Sequence, residues 1–516
     1  MRGKNQSTVP ERRDSLYNVS VGSGKWKKYR LKGEIMRALV TILIGLLCLS
    51  CVGCGNTARN VEKQGLDDFS FQINYSSGKG LDERKVLGLF SESFQNNLKT
   101  KYPPSEWPWV RNVRIFLKWS SVERDERKGA YDWSAADAEV NSALSLGVNS
   151  ILITLSLPCP IWAWNPNTPG DNPGMGPPKN LKDFGDFCRA VATRYNGIVD
   201  YYQILQEPGW DTDSQGAKGG EVYYAGYCDR SYMGMLREGY QAIKQVDPNA
   251  YVASGALLDE ITRTPQAFRN YEILLAGGNQ DLSMKVTSEK DIVAERPVNF
   301  NYLHKYFGGD VELSSQEPRK TWDFAESTTR EGVQEWLTLQ NPGDTEAPTT
   351  ITFMFSDGTT QQKAVTLPAN SSTTIDVNHA VGLATQCDGV ALHPYDYPQW
   401  WSWYYDYLRN ICAKNGVPGL EIVVTEIGWP NGDPPNFTPE GQRQAIGEVG
   451  VGGLIGAGCR KIWIFEDVDI APGTSGGGDY YGLYNYYGSP YPAWNEYKKW
   501  QSSPTFPDYG NKPSHL

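Results

Sequence analysis

An eight-stranded parallel α/β barrel, with a small β-sandwich inserted between its fifth helix and sixth strand, is the fold this sequence predicts, on three observations. Short apolar runs alternate with stretches of helical periodicity along most of the chain, the pattern of parallel strands joined by crossover helices. Counted from residue 69, the apolar runs number eight. The rhythm breaks only from about 281 to 380, where helical patterns vanish and β-rich runs replace them. Together these describe a TIM barrel in two parts, 69–280 and 381–516, with the 281–380 module between them.

Residues 69–74 alternate apolar and polar and are the expected first strand. The second is Val113-Arg114-Ile115-Phe116-Leu117-Lys118-Trp119, followed by the turn Gly129-Ala130-Tyr131-Asp132-Trp133. Ser134 is the expected cap of a helix that carries Ala136, Val140, Ala143 and Leu144 on one face and stops at Gly147. Strand 149–155 leads into a loop rich in Pro, Trp and Gly with Pro158, Trp162 and Trp164. Helix 181–195, strand 201–205, helix 232–246, strand 251–255 and helix 265–276 continue the series. Inside the insert, runs at 284–287, 336–339, 350–355, 363–367 and 373–377 read as strands, with Ser356-Asp357-Gly358-Thr359 as a hairpin turn. Strand 389–393, helix 401–414, strand 421–426, helix 439–456, strand 461–465 and helix 494–500 complete the barrel.

Residues 1–35 are polar and basic, and 36–54 read as an export signal whose apolar run is short for a membrane span. The expected body therefore lies outside the cytoplasm, at the cell envelope or surface, after a polar linker at 55–68. A transmembrane anchor with a basic tail is the alternative reading of the same segment.

Among 516 residues there are 17 Trp and 30 Tyr, more aromatic surface than a core alone requires and the type that lines sugar-binding clefts as well as cores. Net charge is −10 with no basic cluster in the body, which argues against a nucleic-acid partner. Cys159, Cys188, Cys228, Cys387, Cys412 and Cys459 show no metal-ligand spacing and read as packed thiols or one or two disulfides. With only four His, no metal and no cofactor are expected.

The chemistry sits on two strand ends. Tyr201-Tyr202-Gln203-Ile204-Leu205-Gln206-Glu207-Pro208 is an apolar strand that stops in a carboxylate, and Pro208 forbids further ladder pairing. Glu421-Ile422-Val423-Val424-Thr425-Glu426-Ile427-Gly428-Trp429-Pro430 ends the same way at Glu426. Chemistry in parallel α/β barrels is done at that edge, and two carboxylates about 5–5.5 Å apart are what a retaining glycosidase needs. Arg114 is the natural counter-charge for Glu426, or else a structural ion pair, and Tyr395 is placed to hydrogen-bond it. His393 is a cleft hydrogen-bond donor or a packed strand-end residue. Trp119, Trp162, Trp164, Trp429 and Trp463 are candidate sugar contacts. Asp259, Glu260, Glu466 and Asp467 also fall on the expected rim, as supporting groups, whereas Glu123, Asp132 and Asp137 read as solvated or capping.

Arg114 with Trp119, Tyr131-Asp132-Trp133, Leu157-Pro158, Gln206-Glu207-Pro208, His393-Pro394-Tyr395, Thr425-Glu426-Ile427-Gly428-Trp429 and Tyr481-Gly482-Leu483-Tyr484 together resemble the clan A glycoside hydrolases, nearest to families 39 and 5. The resemblance implies Glu207 as acid/base, Glu426 as nucleophile, a carbohydrate substrate and no cofactor. The family has Asn where Gln206 stands, and that amide holds the sugar 2-hydroxyl, so the subsite differs here by one methylene. The insert resembles a β-rich module found in exported bacterial proteins. Residues 51–56 resemble the lipobox of bacterial lipoproteins, which implies membrane attachment through a lipid on Cys54, with Cys51 the second choice and standing where the family prefers Leu. A sugar-binding surface scaffold without turnover, with Gln206 as its support, and a transglycosylase are the alternatives to a hydrolase.

Overall fold

The computed structural model describes residues 84–91, 101, 103–166, 173–208, 228–256, 268–278, 280–302, 306–312, 317–330, 333–432, 437–469 and 480–506. The chain divides into a unit of residues 1–78 and a unit of residues 79–516, and all described residues belong to the second. The signal segment, Cys54, the 55–68 linker and the expected strand at 69–74 lie outside the described residues.

Along the chain come β1 (Val86–Ser91), β2 (Asn112–Lys118), β3 (Ser150–Ser156), β4 (Tyr201–Ile204) and β5 (Tyr251–Ser254). The insert then supplies β6 (Asp281–Tyr302), β7 (Tyr306–Glu312), β8 (Arg319–Thr328), β9 (Val333–Asn341), β10 (Ala347–Phe355), β11 (Thr360–Leu367) and β12 (Ser371–Asp376). Strands β13 (Gly389–Ala391), β14 (Glu421–Ile427) and β15 (Lys461–Ile464) follow. Strands β1–β5 and β13–β15 form a closed barrel in sequence order, every neighbour parallel and β15 paired to β1.

The first barrel strand is thus β1, not residues 69–74. Its glycine hid it. Gly88 weakens the strand signal, yet a Cβ there would stand 2.5 Å from Trp463 Cδ1, so the inward ring of β15 demands the glycine. Side chains alternate across the barrel wall. Val86, Leu152, Tyr201, Tyr251, Val423 and Trp463 fill the interior, while Leu87, Val113, Ile151, Tyr202 and Val252 face the surrounding helices.

The helices are α1 (Ser134–Ser145), α2 (Leu181–Arg194), α3 (Cys228–Val246), α4 (Arg269–Leu275), α5 (Trp401–Lys414), α6 (Pro439–Ile446), α7 (Val451–Gly456) and α8 (Pro492–Gln501). Two details correct the sequence reading. Ser134 is the first helical residue rather than the cap, and Asp132 Oδ1 accepts from its N–H at 3.1 Å and its hydroxyl at 2.6 Å. The stretch 439–456 is two helices, because glycines at 447 and 450 interrupt it at a high cost in helix propensity. Cys159, Cys188, Cys387, Cys412 and Cys459 are buried free thiols, so the packed alternative holds for these five. No helix among the described residues is long and apolar enough to cross a membrane.

The insert is an antiparallel unit with its own core. Long β6 pairs with β10 and β8 through its first half and with β9 and β7 through its second. Met284, Val286, Ile292, Leu337, Ile351 and Phe353 are fully buried inside it. It is clamped to α3 by Arg237, only 1% exposed, whose guanidinium lies 3.4 Å from the centre of the Phe355 ring and 3.5 Å from Asp357 Oδ2, and which also donates to Thr359 Oγ1. Burial holds this guanidinium down at about 10, so the charge is tolerated only through these partners. Arg237→Ala is expected to cost about 3 kcal/mol, because it opens a cavity and strands Asp357 without its cation. Denaturant unfolding monitored by Trp fluorescence checks this, and an unchanged midpoint would contradict it.

Candidate active site

Strand β4 ends at Ile204, and the chain then takes an unusual step. Leu205 has φ +63°, a left-handed conformation that costs a non-glycine residue about 1–2 kcal/mol. It is held there by its N–H to Leu155 O at 2.9 Å, by Ala256 N–H to Gln206 O at 2.9 Å, and by burial of its side chain. Pro208 seats against Gly255, where a Cβ would come within 2.4 Å of Pro208 Cδ. The effect is to turn Gln206 and Glu207 toward the barrel axis at its C-terminal rim.

Glu426 reaches the same point from β14. Its Oε2 accepts from Arg114 Nη1 at 2.6 Å and from Gln206 Nε2 at 2.9 Å, and its Oε1 accepts from the Tyr395 hydroxyl at 2.9 Å. Glu207 Oε1 lies 2.6 Å from His393 Nδ1. One oxygen of each carboxylate and one His393 nitrogen all fall within 4.8 Å of one another. The two acids differ in setting: the Glu426 side chain is 6% exposed and that of Glu207 28%. One is enclosed by donors and the other opens to solvent.

These three groups could in principle ligate a cation. The donors around them speak against it: Arg114 brings a fixed positive charge to Glu426, and three N–H or O–H groups already occupy its oxygens.

Beneath the carboxylates runs a ladder of buried polar side chains. Arg114 Nε donates to Thr154 Oγ1 at 2.9 Å, Thr154 Oγ1 donates to Gln203 Oε1 at 2.9 Å, and Gln203 Nε2 donates to Thr425 Oγ1 at 3.0 Å. Thr425 Oγ1 lies 2.8 Å from His393 Nε2. Because Arg only donates, proton direction along the first three links follows from donor chemistry. With Gln203 donating to it, Thr425 Oγ1 can give its hydroxyl proton to Nε2 of a neutral His393 or accept from Nε2–H of a protonated one, and His393 Nδ1 faces Glu207 in either state. The ladder ties the surroundings of Glu426 to those of Glu207 through the barrel interior.

Burial alone would raise the Glu426 pKa, but positive charge at His393 and Arg114, with hydrogen bonds from Arg114 and Tyr395, holds it below the ordinary carboxylate value. Burial and the charges of Glu426 and Glu207 push the Tyr395 phenol well up, so it remains a donor. A depressed carboxyl stabilises the fold fully above its unfolded pKa and loses that contribution as pH falls through its folded one. Arg114→Gln is therefore expected to move the acid limb of kcat/KM to higher pH and to lower stability at pH 7 by about 3 kcal/mol, since Glu426 is left buried without its cation. A pH–rate profile with unfolding curves checks both, and an unmoved acid limb would contradict the assignment.

Of the residues expected to form the site, the structure brings together Glu207, Glu426, Arg114, Gln206, His393 and Tyr395. Trp119 and Trp463 are corrections. Trp119 is fully buried, stacked on Phe187 at 5.5 Å, with its indole N–H on Glu123 Oε2 at 2.7 Å. Trp463, 1% exposed, packs edge-on against Tyr201 at 5.8 Å as part of the barrel filling. An indole with both faces covered offers a sugar no surface. Glu123 is likewise buried rather than solvated, and it also accepts from Gly129 N at 2.6 Å. Trp162 is half-buried, edge-on to Trp119, with its N–H on Arg124 O at 3.1 Å. Trp164 is half-buried and donates to Cys159 O at 3.0 Å. Trp429 is half-buried beside Tyr397 and Phe437 at 5.8 and 5.3 Å. Glu466 and Asp467 are buried, and Asp259 and Glu260 lie outside the described residues.

Thr154, Gln203 and Thr425 were not singled out from sequence. Their signal was there: each is a polar residue inside an apolar strand, and a buried polar group requires a partner.

No protein-family model and no curated protein matches the chain. Among solved structures it is similar to a family 39 glycoside hydrolase from Bacteroides cellulosilyticus at 13% identity, covering 80% of this chain and 62% of that one with a TM-score of 0.43. It is also similar to a family 39 β-xylosidase from Caulobacter crescentus at 13% identity, covering 82% and 72% with a TM-score of 0.43. A family 10 endoxylanase from a sugarcane soil metagenome matches at 10% identity, covering 82% and 98% with a TM-score of 0.44. The chain thus spans less than two thirds of the first of these.

Proposed function

We propose that this protein is a retaining β-glycosidase acting on an extracellular poly- or oligosaccharide. The observation that carries the reading is the carboxylate pair on opposed strand ends, with single oxygens of Glu207 and Glu426 within 4.8 Å. Retaining enzymes space the two groups at about 5–5.5 Å, whereas inverting ones leave about 6.5–9.5 Å for a water molecule.

The asymmetry of the pair supports a division of roles. Glu426, kept ionised by Arg114 and fixed by Gln206 and Tyr395, attacks the anomeric carbon as the bond to the leaving oxygen breaks. Glu207, open to the cleft, gives that oxygen its proton. In the second half Glu207 takes a proton from water, the water oxygen bonds to the anomeric carbon, and Glu426 departs as carboxylate. His393 receives or supplies a hydrogen bond at Glu207 in each state, because its Nε2 can exchange roles with the Thr425 hydroxyl. Gln206 reaches Glu426 directly, despite its extra methylene, and is placed to share a sugar hydroxyl with it. Export and a lipid on Cys54 are part of the same proposal and rest on the sequence of residues 36–56.

The test is mechanism-based trapping. Incubation with 2-deoxy-2-fluoro glycosyl fluorides of several β-sugars should add one fluorosugar mass to the protein, on the peptide containing Glu426. Hydrolysis of aryl β-glycosides without any adduct, together with an inverted product by NMR, would overturn the retaining assignment.

A further inference from the structure

Among the described residues, Tyr397, Trp400 and Trp403 are among the most exposed large hydrophobic side chains, at 53%, 49% and 48%. They stand at every third residue: Tyr397 just before the short turn Pro398–Trp400, Trp400 at its end and Trp403 in the first turn of α5. Together they form an exposed aromatic ridge that runs from the loop after β13 into the first turn of α5.

The residues between them do the anchoring. Trp401 is fully buried and gives its indole N–H to Asp396 O at 2.8 Å, and the Tyr404 hydroxyl donates to Asp396 Oδ2 at 2.7 Å. Trp403 stacks on Tyr407 at 5.2 Å and meets Tyr404 edge-on at 5.1 Å. Tyr397, beside Trp429, and Trp403 are therefore held by ring contacts with part of each ring left to solvent.

The inner end of the ridge adjoins the carboxylates. Tyr397 lies two residues past Tyr395, the donor to Glu426, and its ring is 5.8 Å from that of Trp429, three residues past Glu426. An aromatic track leading outward from a cleft, on a chain of net charge −10, suits a neutral ligand with apolar faces and polar edges. A β-linked glycan is such a ligand, since each pyranose presents a C–H face and keeps its hydroxyls at the rim.

We propose that Tyr397, Trp400 and Trp403 bind the part of a β-glycan chain that extends beyond the cleavage site, so that the substrate is a polymer rather than a disaccharide. The inference takes its position from the glycosidase reading, but one arm of its test does not need turnover.

The variants are Trp400→Ala and the Trp400→Ala/Trp403→Ala pair, with thermal unfolding to verify folding and the single variant standing alone should the pair be unstable. Native gels containing soluble xylan, glucomannan or mixed-linkage β-glucan should retard the wild type in at least one case, and the pair should lose about tenfold in apparent affinity. On the same polymer, the ratio of kcat/KM to that for a p-nitrophenyl β-glycoside should fall about tenfold. Equal affinity and an equal ratio in all three proteins would overturn the proposal. So would a wild-type dimer that the pair converts to monomer in sedimentation velocity without any loss of glycan affinity, which would make the ridge a self-association surface. Retention lost in the pair, by a wild type that hydrolyses no glycoside, would support the ridge and sink the enzymatic reading instead.

Discussion

Glu426→Gln is expected to lower kcat on an aryl β-glycoside by about 10⁴-fold or more, the scale of removing a covalent nucleophile. The amide is isosteric, but it cannot donate an electron pair as a carboxylate does. It also changes the pocket. Glu426 Oε2 now takes Arg114 Nη1 at 2.6 Å, and in the variant a buried guanidinium with side-chain exposure of 0% loses its counter-charge. The variant should therefore be less stable as well as inactive, and far-UV circular dichroism is needed to show that the barrel persists. Because its side chain can form no glycosyl ester, the variant should take up no fluorosugar at position 426. Turnover near that of the wild type would remove Glu426 from the mechanism.

Glu207→Gln should lose about 10²–10⁴-fold, and the loss should depend on the leaving group. A 2,4-dinitrophenyl glycoside departs without protonation, so its first step survives while the second, which needs a base, is slowed. A burst of dinitrophenolate followed by a slow steady state is the expected trace. Azide, which needs no general base, should restore the second step and give a β-glycosyl azide. Loss of the same size for alkyl and dinitrophenyl glycosides, with no burst, would show that Glu207 is not the acid/base. The two variants thus separate the two proposed roles, for a Glu426 enclosed by donors and a Glu207 partly exposed beside His393.

Much of the barrel was legible because parallel strands are buried on both faces and announce themselves as continuous apolar runs, as in 149–155 and 421–427. The insert was legible for the converse reason: β10 alternates buried and half-buried residues along its whole length, a period of two that no helix produces. What escaped was local compromise. Val86–Ser91 was missed because Gly88 yields to a ring from β15, a contact across 375 positions of sequence (463 − 88). The helix break near 447 was missed because periodicity continued on either side of it.

The site divides along the same line. Sequence by itself determined the strand ends that carry Glu207 and Glu426, since an apolar run stopped by Glu-Pro or by Glu-Ile-Gly-Trp-Pro states where a strand must finish. It also pointed to Arg114 and Tyr395 as partners of Glu426, which they reach from β2 and from the loop after β13. Only the tertiary structure decided which aromatics face a substrate: Trp119 and Trp463 look no different in sequence from Trp400 and Trp403, and burial by residues far along the chain sets them apart. Only the tertiary structure, too, assembled Thr154, Gln203 and Thr425 into one ladder between the two carboxylates. The physical reason is that backbone pattern is read from near neighbours, whereas a hydrogen-bond partner inside a closed barrel comes from another strand, at a register that closure alone defines.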